Sequence, residues 1–158
     1  MIIENHFIPS SPVISWFAIK DIAEEIGEYI DAKGGMFALH HSQVSDKPLN
    51  FFVLETNVLK EWIPELGSRY IINPVIVNSN LSTVRKIHEG CMSFPHKKPK
   101  RVDRAMVVTV KYQVPDETKP NGLVDKTKEV SMLVAQIFQH ECDHSLGKNI
   151  FYDTPKKI

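Results

Sequence analysis

Apolar residues recur at threes and fours from Ile14 to about Lys33, with Ile14, Phe17, Ala18, Ile22, Ile26 and Ile30 on one stripe. That period predicts an amphipathic helix, and Gly34-Gly35 supplies its stop. Asn50-Phe51-Phe52-Val53-Leu54 reads as a short strand. Tyr70 to Asn78 reads as another, since β-branched residues suit a pleated surface. Pro74 has no N–H for the ladder, so an edge or a bulge is expected there. The clearest alternation runs from Arg104 to Val114: Met106, Val108, Val110 and Tyr112 interleave with Val107, Thr109 and Lys111. Pro115 to Gly122 is expected to turn, because Asn121-Gly122 favours positive φ, and a strand returns through Leu123 to Val130. Ser131 then stands where a cap begins a final helix, which runs to about Leu146 before Gly147. No repeat or linker divides residues 1–158, so the pattern predicts one α+β domain.

Composition narrows the class. A chain of 158 residues buries roughly 70% of its unfolded surface, enough for a true core. Hydrophobic residues at 42% and charged ones at 24% are ordinary for a soluble protein. Lys plus Arg equals Asp plus Glu at 19 each, so no bulk field recruits nucleic acid, and no specific nucleic-acid binding is expected. The run His96-Lys97-Lys98-Pro99-Lys100-Arg101 is basic and reads first as a solvated loop. Two cysteines cannot build a disulfide framework, which points to a reducing compartment. Met1-Ile2-Ile3-Glu4-Asn5-His6 lacks the basic flank and apolar core of a leader. No apolar run approaches the roughly 20 residues that span a bilayer. A soluble, cytoplasmic monomer is expected.

The end of the predicted final helix carries the chemistry. His140-Glu141-Cys142-Asp143-His144 reads HExxH, and side chains four apart stack on one helical face. Two imidazoles there grip one metal ion, and Glu141 projects beside it as a proton acceptor. Cys142 is expected to face away and pack, and Asp143 to serve as a hydrogen-bonding or ion-pair partner.

The third ligand decides the reaction. In long HExxH proteases it lies downstream, but the matching position is Ile150, and Asp153 is the one carboxylate left. Upstream, Glu89-Gly90-Cys91-Met92-Ser93 follows a strand-like run and offers a thiolate. Cys91, His140 and His144 form a three-ligand set with an open fourth position, as a catalytic metal requires. Gly90 permits close backbone approach, so the Met92 amide is a candidate oxyanion donor.

These motifs resemble the EGCLS and HExDH motifs of peptide deformylases, and Ile72-Asn73-Pro74 is similar to the INP segment that precedes them. All three stand in that family's order and spacing. The family's GxGLAAxQ motif has a degenerate counterpart in Met36-Phe37-Ala38-Leu39-His40-His41-Ser42-Gln43, in which Leu39 and Gln43 fit and the glycines do not. Many relatives continue into a long C-terminal helix, whereas this chain stops at Ile158.

The resemblance implies antiparallel β-sheets packed around a central helix that carries the ligands. It implies metal-dependent hydrolysis of the formyl group from N-formylmethionyl nascent peptides, releasing formate. Gln43 would donate to the formyl oxygen with the Met92 amide, and Glu141 would act as base. Leu133, Gln136 and Ile137, one and two turns before His140, share its face and would meet the first side chain, Gln136 as a polar intrusion; the resemblance adds Val44 and Ile87. The metal would be Fe²⁺ in the cell and Zn²⁺ or Ni²⁺ after purification. The ribosome is the expected further partner, with the basic run as one contact. An HExxH metalloprotease is the alternative; a metal-binding protein impaired by its altered glutamine loop is the third reading. His40 and His41 read as structural or as extra ligands. His88 is expected on a strand face turned from the metal. Glu89 is expected to pair with Arg101 or Arg104.

Overall fold

The computed structural model describes residues 1–2, 8–62, 64–79, 83–94 and 96–151. In chain order the elements are α1 (Trp16–Lys33), β1 (Ala38–His40), β2 (Phe51–Leu54), α2 (Thr56–Trp62), β3 (Tyr70–Ser79), β4 (Val84–Glu89), β5 (Lys100–Ala105), β6 (Val107–Pro115), β7 (Leu123–Ser131) and α3 (Met132–Ser145). Antiparallel pairing orders one five-stranded sheet as β1-β2-β3-β6-β7 and leaves β4-β5 as a separate ribbon. Both faces of the larger sheet are covered, which is why all four residues of β2 are buried. Phe51 and Val53 join the cluster under α1, while Phe52 and Leu54 join the one under α3. The α+β class and the antiparallel sheets agree with the sequence reading, and α3 packs on β5 as well as on the larger sheet.

Helix α1 is rotated from the expected stripe. Trp16, Ile19, Ala23, Ile26, Gly27 and Ile30 are buried, whereas Ile14 is 83% exposed and Phe17 52%. The chain enters the helix with the Trp16 N–H bonded to the Asn121 carbonyl, and the Trp16 ring lies 5.0 Å from that of Tyr70. That anchor sends Trp16 into the core and turns Phe17 outward.

Pro74 sits in a central strand, and the ladder yields with a bulge. The β3–β6 register shifts between Ile72 and Val75, and Asn73 takes φ +49°. Asn73 then fastens the segment before α1: Val13 N–H donates to its Oδ1 at 2.8 Å, and its Nδ2 donates to the Val13 carbonyl at 2.7 Å. The Ile72-Asn73-Pro74 motif is thus a structural clasp.

The strand expected from Arg104 to Val114 is two strands in two sheets, broken by a bend at Met106. Side-chain chemistry makes the break. Arg104 turns inward, donating to both Glu89 oxygens at 2.8 and 2.9 Å and to Asp143 Oδ2 at 2.8 Å. The Gln139 carboxamide accepts from the Ala105 N–H and donates to its carbonyl, at 2.8 and 2.9 Å, standing in for a neighbouring strand. Met106 accepts from the Met132 N–H instead of facing the core. Ser131 begins α3 without a side-chain cap bond, a departure from expectation.

Removing the Arg104 guanidinium leaves the buried Glu89 carboxylate without its cation, with His140 still bonded to Oε1. Arg104→Met should cost about 3 kcal/mol, a Tm drop of roughly 6–12 °C at this chain length. Burial works to raise the Glu89 pKa, but His140 and Arg104 overcome it and hold the group at about 2. A depressed folded pKa means that this stabilisation is complete above the unfolded carboxyl range and is lost as pH falls toward 2. Thermal unfolding between pH 7 and pH 3 should therefore show the variant's deficit shrinking with acid. A deficit constant with pH would place the cost in packing alone.

Candidate metal centre

Helix α3 holds His140 and His144 one turn apart, their Nε2 atoms 3.1 Å from each other. Nδ1 of His140 lies 2.8 Å from Glu89 Oε1. A carboxylate only accepts, so Nδ1 carries the hydrogen and Nε2 is left for a metal. Burial acts to lower the His140 pKa; hydrogen bonds to Cys91 and Glu89 outweigh it and raise it to about 10, so metal binding there displaces a proton. His144 is fully buried, and desolvation and the neighbouring imidazoles hold it neutral, the form that ligates.

Cys91 arrives from the ribbon. β4 ends at Glu89, Gly90 follows, and a turn closes with the Phe94 N–H donating to the Cys91 carbonyl at 2.9 Å. The thiol sulfur stands 3.7 Å from His144 Nε2, and one donor atom from each of Cys91, His140 and His144 lies within 4.8 Å of the others. One sulfur and two inward-turned imidazole nitrogens fit a divalent transition metal. Ile150 is buried in the cluster with Cys91 and Phe94, so it packs against the site and offers no ligand. Asp153, the other downstream alternative, lies outside the described residues.

Glu141 is 4% exposed, and its Oε2 has no hydrogen-bond partner among the described residues. Such an orphaned buried acceptor is costly unless something else meets it. Burial pushes its carboxyl up to about 7, and a cation bound alongside would draw it down. Cys142 is buried and its thiol is pushed up to about 12 by desolvation, consistent with packing rather than ligation. Asp143 pairs with Arg104, and Glu89 takes Arg104 rather than Arg101.

The altered glutamine loop reaches the site without the glycines. β1 runs into one 3₁₀ turn, His41–Gln43, where the His40 Nδ1 accepts from the Ser42 N–H at 3.0 Å and Gln43 Oε1 accepts from the His40 N–H at 3.0 Å. That reciprocal box aims the Gln43 amide at Ser93 Oγ, 3.1 Å away, and at Cys91 Sγ, 3.9 Å away. His40 is fully buried and desolvation drives its pKa down to about 3; its Nε2 contacts Asn50 Oδ1 at 3.3 Å. His41 stacks on Phe51 and accepts from the Leu49 N–H. Both serve the fold.

A cavity of about 400 Å³ opens on the centre. Gln43, Cys91, Met92, Gln136, Ile137, His140 and Glu141 line it. Val44, Ile87 and Leu133 are not on its wall. Val44 follows the 3₁₀ turn and packs in the cluster under α1. Leu133 starts α3 two turns before His140 and borders a different cavity, beside Glu65 and Val130. Ile87 is half-buried on β4, and the next two residues, exposed His88 and buried Glu89, reach the cavity. Wall residues that sequence reading missed include Gly35, Met36, Phe37, Ala38, Phe94 and Lys97. A signal was present for four of them: residues 35–38 lead into β1, the strand that delivers Gln43.

The family described as polypeptide deformylase matches residues 9–157. A peptide deformylase of Chlorobium phaeovibrioides is 26% identical over 140 residues, which cover 89% of this chain and 67% of that protein. A peptide deformylase structure from Plasmodium falciparum superimposes with a TM-score of 0.76 at 26% identity, covering 99% of this chain and 87% of that one. One from Thermotoga maritima gives 0.75 at 25% identity, with 99% and 97% covered. With the motifs, the fold and these matches in agreement, the chain belongs to the polypeptide deformylase family.

Proposed function

We propose that this chain, as one catalytic domain, removes the formyl group from N-formylmethionyl nascent peptides, with one divalent metal held by Cys91, His140 and His144. The observation that carries the reading is the meeting of those three donors beside the buried carboxylate of Glu141, whose Oε2 has no hydrogen-bond partner among the described residues, on a cavity that Cys91, His140 and Glu141 line. Membership of the family supports the same reaction. A divalent metal in this set supplies Lewis acidity toward water and the formyl oxygen. Fe²⁺ suits it in the cell, and Zn²⁺ or Ni²⁺ would occupy it after purification in air.

The chain's own groups do the rest. Glu141 takes a proton from the attacking water and returns it to the nitrogen as the carbon–nitrogen bond breaks. Formate and a free α-amine leave. The Gln43 amide and the Met92 N–H hold the oxygen as its charge grows, each such donor being worth about 3 kcal/mol. Glu89 keeps His140 turned toward the metal.

The setting we assign is the cytoplasm, as a monomer acting on chains at the ribosome. Among the described residues no helix is long and apolar enough to cross a membrane. Exposed Arg85, Lys86, Lys98, Lys100 and Arg101 cluster on and beside the β4–β5 ribbon, next to the cavity, and that charge suits ribosomal phosphates.

Two variants separate binding from chemistry. Cys91→Ala should lose the metal by elemental analysis, whereas Glu141→Ala should keep it and lose at least about 10² in turnover. Full occupancy in the first, or near-normal kcat in the second, would contradict the assigned roles. For the reaction itself, anaerobically prepared protein should release formate from formyl-Met-Ala-Ser and act poorly on acetyl-Met-Ala-Ser. It should cut no internal bond of an unfolded protein, as followed by mass spectrometry. Internal cleavage without deformylation would mean a protease.

A further inference from the structure

The cavity wall is mostly apolar, built from Met36, Phe37, Ala38, Met92, Phe94 and Ile137. Gln43, His88, Glu89, Lys97, His140 and Glu141 supply its polar part, and Gln136 adds an uncharged carboxamide from α3. The residue lies one turn before His140 on α3, so its side chain shares that helical face, and it is half-buried at the wall. Its carboxamide has no hydrogen-bond partner among the described residues. Its neighbours on the helix are committed elsewhere: Gln139 bridges Ala105, and Ile137 belongs to the core under the sheet. Gln136 is therefore a donor and acceptor facing the space where a substrate side chain must go.

We infer that Gln136 is a specificity-determining residue that lets the cavity take a first side chain carrying an uncharged hydrogen-bonding group, such as glutamine, beside methionine. The inference deepens the proposed reaction and rests on it. A purely aliphatic side chain covers the carboxamide without replacing the water it loses, while a polar one makes the bond. Methionine is still accommodated, because Met36, Phe37, Ala38, Met92, Phe94 and Ile137 supply the apolar part of the wall. Discrimination by one neutral hydrogen bond is modest, about tenfold in kcat/KM.

The test compares formyl-Gln-Ala-Ser with formyl-norleucyl-Ala-Ser, whose side chain matches methionine in length without a polar atom. Formate release is measured for metal-loaded wild type, Gln136→Leu and Gln136→Met, with formyl-Met-Ala-Ser as reference. The ratio of kcat/KM for the glutamine peptide over the norleucine peptide should fall about tenfold in both variants, mainly through KM. Two replacements of different shape guard against a packing artefact in either one. An unmoved ratio in variants that still release formate from the reference peptide overturns the inference alone. No formate release by wild type from any formyl peptide overturns the proposed reaction, and the inference with it.

Discussion

The Arg104 guanidinium joins two parts of the molecule that no sheet connects. The β4–β5 ribbon brings Cys91, and α3 brings the two histidines, yet the ribbon shares no ladder with the five-stranded sheet. Arg104 leaves β5 to grip Glu89 at the end of β4 and Asp143 within the HExxH segment. Glu89 in turn holds His140. Together with the Gln139 bonds to Ala105, this cation sets the distance between Cys91 and the two imidazoles. Buried ion pairs gain little net stability against a well-packed apolar core, but breaking one is costly, which suits a cluster whose task is registration. Burial works against the Arg104 charge, and the two carboxylates more than restore it.

Much of this was legible in the residues, because the chemistry sits in short local motifs. HExxH on a helical period states its own geometry, and the cysteine motif states the third ligand. Pro74 pointed to an edge or a bulge, and it is the bulge, in a central strand, that the ladder shows. What escaped reading depends on contacts distant in sequence. The rotation of α1 follows from Trp16 meeting Asn121 and Tyr70. The break at Met106 follows from Arg104 and Gln139 finding partners on other elements, and the alternation on either side of the break gave no hint of it. Of the five residues expected around the substrate side chain, Gln136 and Ile137 line the cavity. They stand within one turn of His140 on the ligand helix, where periodicity is a sound guide; two turns back the same period points to Leu133, which borders another cavity. Val44 and Ile87 depend on the tertiary arrangement.

The glutamine loop shows how one local geometry is reached by different means. Glycines bring a backbone close by having no side chain. Here the space is filled instead: His40 is fully buried, caps the turn through Nδ1 and reaches Asn50 through Nε2, while His41 stacks on Phe51. Because Nδ1 accepts the Ser42 N–H, the ring hydrogen sits on Nε2, so this histidine has one tautomer and no charge. The Gln43 amide still reaches the sulfur of Cys91. A motif scored by letters is broken at these positions, but an amide aimed at the cysteine sulfur is kept.

Charge balance links the donor set to the proposed substrate. A divalent ion held by one thiolate and faced by the Glu141 carboxylate leaves a centre close to neutral. A centre of three imidazoles would carry more positive charge into the same cavity. The end of a formylated peptide is an uncharged amide, whereas a free N-terminus is an ammonium. A near-neutral, largely apolar cavity takes up the amide without desolvating a charge, and an ammonium would have to shed its water to enter. The product is therefore disfavoured where the substrate is welcome. On the proposed reading, the thiolate of Cys91 shapes which chain ends are admitted as well as holding the metal.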